Sequence, residues 1–125
     1  MPLFHHVNLG VPVNGAEAEE TFLVEVLGYR RVAPPPDLAN RALWFEGEDG
    51  KQIHLSEDPD HRPAARAHVA VEVGDELEEL QGKLRRAGQE YSTFDGNDMR
   101  VVLCADPAGN RWELRGSLPR DPATP

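Results

Sequence analysis

The chain opens with alternating polar and apolar residues, a pattern that predicts a half-buried β-strand over residues 3–13. Asn14 is placed to cap a helix over residues 16–27, which has helical spacing of its apolar positions and ends at Gly28. Short strands are then predicted over 29–33, 41–46 and 51–56, the last two joined by a turn at Asp49-Gly50.

The same order of elements is predicted a second time, about 60 residues later in the chain. The pattern indicates a strand over 67–73, a helix over 75–87 that ends at Gly88, and strands over 89–93, 99–104 and 110–115. The sequence therefore predicts an α+β fold in one compact domain made of two strand-helix-strand-strand-strand modules. Residues 1–62 form the first module with its linker, residues 63–116 the second, and residues 117–125 a flexible tail.

Composition narrows the class of protein. The chain has 125 residues, a formal net charge of −9 and 39% hydrophobic residues. A chain of this size and composition can build a hydrophobic core without disulfides or other cross-links. Its negative charge argues against nucleic acid and against an anionic membrane as partners. Cys104 is the single cysteine, the N-terminus lacks the pattern of a secretory signal, and no apolar run could span a membrane. We therefore expect a cytoplasmic protein.

The repeat brings candidate metal ligands to equivalent positions. His6 and His68 lie on the polar faces of the two first strands, and His54 and Glu113 lie between apolar neighbours on the two last strands. If the first and last strands are neighbours in each sheet, these four side chains line one concave surface. Three imidazoles and a carboxylate suit Zn, Ni, Fe, Mn or Co. A histidine in a strand is more often merely hydrogen-bonded or exposed, and the repeat is what favours the metal site.

Other candidate residues receive structural interpretations. His5 lies on the strand face opposite to His6 and is expected to be structural or exposed, and His61 is expected to be solvated. Cys104 is expected to point into the core. The aromatic residues could line a pocket, but packing in the core is favoured for them (Trp44, Tyr91 and Phe94). The acids of the two helices are expected to form solvated faces (Glu17, Glu19, Glu20, Asp75, Glu76, Glu78 and Glu79). No phosphate-binding loop, CxxC pair or GxSxG elbow is present in the sequence.

Four segments resemble a known family. HVNLGV at His6, FLVEVLGYR at Phe22, AHVAVEV at His68 and above all DPAGNRWEL at Asp106 resemble the vicinal oxygen chelate superfamily, which includes glyoxalase I. The resemblance covers about residues 3–115 and implies paired βαβββ modules whose curved mixed sheets form an open barrel. It also implies that His6, His68 and Glu113 are metal ligands. His54 occupies the position of a fourth ligand, which in such relatives is usually Glu or Gln.

The resemblance implies a metal-dependent lyase or isomerase that stabilises an enediolate-type intermediate of a small-molecule substrate, with Glu113 as general base. It also implies a homodimer in which His6 and His54 of one chain face His68 and Glu113 of the other, a compact monomer being the alternative.

Three other functions occur on folds of this kind. An extradiol-type Fe(II) dioxygenase is disfavoured because such enzymes usually have two module pairs. A thiol transferase of the fosfomycin-resistance kind needs a basic pocket, and no clustered Arg or Lys lies near the ligands in the sequence. A non-catalytic drug-binding module, like the bleomycin-resistance proteins, would lack the metal ligands.

Overall fold

The computed structural model describes residues 1–38 and 43–119. The first module contains β1 (His6–Val11), α1 (Ala16–Thr21) with a π-helical continuation (Phe22–Val26), β2 (Arg30–Val32), a 3₁₀ turn (Pro36–Leu38), β3 (Leu43–Glu46) and β4 (Gln52–Glu57). The second contains β5 (His68–Gly74), α2 (Leu77–Arg86), β6 (Tyr91–Asp95), β7 (Met99–Ala105) and β8 (Arg111–Ser117). The βαβββ order occurs twice, which confirms the predicted α+β class. The start of the predicted strand 41–46 and residues 120–125 of the predicted tail lie outside the described residues.

Each module forms one mixed sheet of four strands among the described residues. The strand orders are β1-β4-β3-β2 and β5-β8-β7-β6. In both sheets the first and last strands pair in parallel, and the remaining pairs are antiparallel. The first and last strands of each module are therefore neighbours, with Asn8 opposite His54 and Ala70 opposite Glu113.

Contacts divide the chain into two compact units. The first unit is Met1–Pro63 with Pro107–Asn110, and the second is Ala64–Asp106 with Arg111 onward. The loop 107–110 thus belongs to the first unit, although in the sequence it connects β7 and β8 of the second unit.

The loop 107–110 explains two errors of the sequence analysis, both within the first unit. Glu19 was expected to be solvated, but it is 0% exposed, and its Oε1 accepts a hydrogen bond from the Ala108 backbone N–H at 3.2 Å. His61 was also expected to be exposed, but its Nε2–H donates to the Ala108 carbonyl at 2.9 Å. Asn110, on the same loop, donates from its Nδ2 to the Gly10 carbonyl of β1 at 2.9 Å. Glu19 and His61 thus supply hydrogen-bond partners for both backbone groups of Ala108, and Glu19 is buried in doing so.

The first helix differs from its prediction in its first residue and in the winding of its second half. Gly15 is the N-cap residue, and Asn14 instead adopts a left-handed conformation with φ of 65° in the preceding turn. The prediction of an Asn14 cap is therefore wrong. From Phe22 the helix continues as a π-helix, in which the Leu27 N–H donates to the Phe22 carbonyl. The helix then ends before Gly28, as predicted, where φ is 84°.

Each unit has its own apolar core. That of the first unit contains Val11, Phe22, Leu23, Val26, Phe45, Ile53 and Leu55, and that of the second contains Leu77, Leu80, Leu84, Val102, Trp112 and Leu114. Apolar core residues flank His54 in β4 and Glu113 in β8 on both sides. Since side chains alternate along a strand, His54 and Glu113 lie on the sheet face opposite to these apolar neighbours, as predicted. No helix in the described part of the chain is both long enough and apolar enough to cross a membrane.

Cys104 points into the core of the second unit, as predicted. Burial, and then the nearby Asp106 carboxylate, raise the pKa of its thiol from 9.0 to about 11. The thiolate is the reactive form, so we expect Cys104 of the folded protein to react with a thiol reagent at pH 8 about a hundredfold more slowly than the denatured protein. Reaction with dithionitrobenzoate, followed by absorbance with and without urea, measures this ratio. Similar rates in both states would contradict it.

Candidate functional site

His68 and Glu113 form a close pair in the second unit. His68 begins β5, and Glu113 lies in the middle of the neighbouring β8. Because Ala70, two residues after His68, lies opposite Glu113, both side chains are on the same sheet face. His68 Nε2 lies 3.6 Å from Glu113 Oε1, and the side chains are 46% and 20% exposed. The pair predicted from the repeat is therefore present within this unit.

A backbone hydrogen bond determines the tautomer of the His68 ring. Its Nδ1 lies 2.9 Å from the Arg66 carbonyl oxygen, which can only accept, so the hydrogen is on Nδ1. The neutral ring then has its lone pair on Nε2, the nitrogen that faces Glu113. A backbone carbonyl is one of the usual acceptors for the second ring nitrogen of a metal-binding histidine.

The spacing of the two facing atoms fits a divalent ion. Neither atom has a proton to share when the ring is neutral and the carboxylate ionised, and 3.6 Å is too long for a hydrogen bond. Two ligand atoms at about 2.0–2.2 Å from one ion are separated by roughly 3–3.5 Å, depending on the coordination geometry. The donor set and its spacing are thus compatible with a metal between them.

Arg115 holds the other oxygen of Glu113. Its Nη1 donates to Glu113 Oε2 at 2.8 Å, and its Nε donates to Glu72 Oε1 at 3.0 Å. These two carboxylates raise the pKa of the arginine further. The sequence analysis did not identify this basic residue beside the ligand pair, although its position two residues after Glu113 places it on the same face.

An apolar strip continues the face that presents His68 and Glu113. Leu103 lies opposite Glu113, Val101 opposite Arg115, and Phe94 opposite Val101. Phe94 is 70% exposed, so its predicted packing in the core is wrong. Its neighbour Thr93 lies opposite the buried Val102, so Phe94 lies on the other, exposed face of the sheet. The second unit thus offers a polar pair bordered by an apolar surface, as small-molecule sites commonly do.

In the first unit, His6 and His54 also lie together, but as stacked rings. The His54 ring lies 3.9 Å from the His6 ring at 18° and 4.1 Å from the Trp44 ring at 1°. His54 is only 7% exposed. His5, which was expected on the opposite strand face, touches His6 edge-on, with their Nδ1 atoms 2.9 Å apart. Trp44 contributes to this face because it lies opposite His54 in the sheet. The expected core packing of Trp44 is therefore replaced by ring stacking.

A chain of hydrogen bonds determines the state of His54. Gln52 Nε2 donates to Glu46 Oε1 at 3.1 Å, while Arg30 pairs with the other oxygen of Glu46. The carbonyl oxygen of the Gln52 amide is therefore directed at His54, 2.8 Å from its Nε2, so Nε2–H must donate. Burial, followed by the proximity of His6 and His5, lowers the pKa of His54 to about 4. The ring is neutral near pH 7.

The structure thus pairs His6 with His54 in the first unit, and His68 with Glu113 in the second. Neither unit gathers three or more His, Cys, Asp or Glu side chains into a metal-binding cluster among its described residues. Sequence reasoning missed Trp44, Gln52 and Arg115 as neighbours of the candidate ligands. Strand alternation could have found Gln52 and Arg115, each of which lies two residues from a candidate ligand.

Comparisons with known proteins agree with this fold. A glyoxalase-like domain family matches residues 8–115. A protein from Bacillus anthracis, described as a glyoxalase family protein, is 28% identical over 94% of this chain and 97% of its own, with a TM-score of 0.82. A glyoxalase/dioxygenase from Nostoc punctiforme is 20% identical over 94% and 92%, with a TM-score of 0.79.

A third solved structure has the same fold at lower identity. The genomically encoded fosfomycin resistance protein of Listeria monocytogenes is 16% identical over 94% of this chain and 92% of its own, with a TM-score of 0.73. No curated protein matches the chain significantly. Because the family match spans most of the chain, the conclusion is direct: the chain belongs to the glyoxalase-like domain family of the vicinal oxygen chelate superfamily.

Proposed function

We propose that the chain is a metal-dependent enzyme of the glyoxalase type, a lyase or isomerase for a small molecule with two neighbouring oxygens. The observation that carries this proposal is the His68–Glu113 pair, whose facing donor atoms lie 3.6 Å apart. His68 is held in the tautomer that a metal ligand needs by the Arg66 carbonyl. Family membership supports the same class of chemistry, although one fold hosts many reactions.

His68 and Glu113 would hold a divalent ion, with His6 as the further ligand that the family resemblance implies. Nitrogen and carboxylate donors suit Zn, Ni, Fe, Mn or Co. Such an ion, when bound, supplies Lewis-acid stabilisation of the negative charge that develops on substrate oxygens. The apolar strip of Phe94, Val101 and Leu103 would contact the carbon skeleton of the substrate.

Glu113 is the general base of the proposed reaction. Its carboxylate, which would loosen from the ion during the reaction, takes a proton from a substrate carbon, and the electron pair of the broken C–H bond stays on the substrate. In the isomerase version the same carboxylate returns the proton to the neighbouring carbon. Arg115 binds Oε2, which leaves Oε1 on the side of His68. Arg115 therefore orients the base without needing to touch the substrate.

Metal content of the tag-free protein tests the proposal. We expect about one Zn, Ni, Fe, Mn or Co ion per chain by elemental analysis, either as purified or after reconstitution. Glu113→Gln and His68→Ala remove ligand atoms, so each should weaken binding by at least about 100-fold, more than the loss of a residue that only supports a ligand. His6→Ala decides whether His6 is the third ligand.

Glu79→Gln is the matched control, because it makes the same chemical change on the exposed face of α2. It should bind metal like the unchanged protein. Equal metal content in all variants would refute the assigned ligands. An absence of binding even after reconstitution would leave a non-catalytic small-molecule binding module. Iron as the native ion would favour oxygen chemistry of the dioxygenase kind, and nickel or zinc would favour glyoxalase chemistry.

A further inference from the structure

We propose that His54 is a positioning residue that holds the His6 ring by stacking, and that it is not itself a metal ligand. The inference deepens the proposed function and rests on it, because it concerns which histidines bind the ion. It departs from the expectation that all four residues at the equivalent points of the repeat are ligands. It is carried by the ring geometry and the hydrogen bonds of the first unit.

The stack leaves His54 only its edge for other contacts. An imidazole binds a metal through a nitrogen lone pair that lies in the plane of the ring. His54 lies between two nearly parallel rings, with Trp44 at 4.1 Å and His6 at 3.9 Å between centroids. In-plane lone pairs of two stacked rings run in parallel planes and do not converge on one ion. His6 and His54 therefore cannot both bind the same metal while they are stacked.

The Nε2 edge of His54 is already occupied. This nitrogen carries a hydrogen and donates it to Gln52 Oε1 at 2.8 Å. Gln52 cannot simply turn its amide group, because its Nε2 donates to Glu46, which is also paired with Arg30. Binding of a metal through Nε2 would break this series of hydrogen bonds and leave the Gln52 carbonyl without its donor. The other nitrogen, Nδ1, lies next to Cβ at the base of a side chain that is 7% exposed.

His6 has the opposite arrangement. It is exposed at the start of β1, and its hydrogen bond with His5 uses Nδ1. Its Nε2, at the tip of the ring, is the nitrogen suited to ligation. One face of the ring rests on His54, which restricts rotation about the side-chain bonds before a ligand is bound. An exposed side chain without such a contact must lose its rotamer freedom on binding, which weakens affinity.

Two substitutions of His54 separate positioning from ligation. His54→Phe keeps a flat ring between Trp44 and His6 but has no nitrogen, whereas His54→Ala removes the ring. We expect His54→Phe to bind Co²⁺ within about threefold of the unchanged protein, with the same visible absorption spectrum of the bound ion. His54→Ala should bind about 10–100-fold more weakly, as is typical for loss of a residue that orients a ligand. Titration calorimetry gives the affinities, and thermal unfolding by circular dichroism confirms that both variants fold.

A second readout needs no metal. In the ion-free protein, ring-current shifts should displace the ¹H–¹³C signals of the His6 ring. The displacement should persist in His54→Phe and disappear in His54→Ala. His6 signals that are identical in the alanine variant would overturn the positioning role. Loss of Co²⁺ binding and a changed spectrum in the phenylalanine variant would show that His54 is a ligand. If the unchanged protein binds no metal, the proposed function fails, while the ring signals still decide whether His54 positions His6.

Discussion

Replacement of Trp112 by alanine is expected to lower the free energy of unfolding by about 3–5 kcal/mol, the range for a large buried aromatic side chain. Trp112 is 1% exposed and is the largest fully buried residue of the second unit. Its Nε1–H donates to Asp106 Oδ2 at 3.0 Å, and Asp106 is itself only 3% exposed. The substitution therefore opens a cavity and also takes a donor from a buried carboxylate, so the two losses add.

Trp112→Phe separates these two terms. Phenylalanine refills much of the space but cannot donate a hydrogen bond to Asp106, so a smaller loss of about 1–3 kcal/mol is expected. Urea unfolding followed by circular dichroism measures both variants on the same scale. A loss below about 1 kcal/mol for Trp112→Ala would mean that this ring does not organise the core of the second unit.

Acidification is expected to destabilise the ion-free protein through His54. Its pKa is lowered in the folded state from 6.5 to about 4, chiefly by burial and then by His6 and His5. Between pH 6.5 and 4, His54 binds a proton in the unfolded chain but not in the folded protein. Stability is therefore fully present above about pH 6.5 and falls as the pH is lowered toward 4, by at most about 1.4 kcal/mol for each pH unit.

The difference between two proteins isolates this contribution from that of the carboxylates. Urea unfolding of the unchanged protein and of His54→Phe should be compared at several pH values from 7 to 4. The phenylalanine variant lacks the titrating ring but keeps its flat shape, so its stability should depend less on pH over this range. Parallel curves for the two proteins would contradict a depressed pKa of His54.

The order of strands and helices could be predicted because patterns of neighbouring residues determine it. Alternation of apolar and polar residues marks the strands, apolar spacing marks the helices, and Gly28 and Gly88 mark the helix ends. Each of these signals depends on a few neighbouring residues. The repeat of the whole pattern then placed His68 and Glu113 at the positions where the structure finds them, on adjacent parallel strands of one sheet.

The surroundings of the candidate ligands could not be predicted in the same way. Glu19 has the sequence context of a solvated helix residue, and it is buried because residues 107–110, far along the chain, cover it. The stack of Trp44 on His54 depends on the register of β3 against β4, which no local signal specifies. The tautomer of His54 depends in turn on Gln52, Glu46 and Arg30, which lie on three different strands.

By itself the sequence determined the two modules, the faces of their strands and the four candidate ligands, because periodicity and turn residues act over a few positions. Only the tertiary structure decided which of these ligands have lone pairs available. In the second unit a carbonyl turns His68 Nε2 toward Glu113. In the first unit stacking and an amide oxygen engage His54. Such differences arise from contacts between residues distant in the chain, where hydrogen-bond direction and ring orientation are established only once the strands have paired.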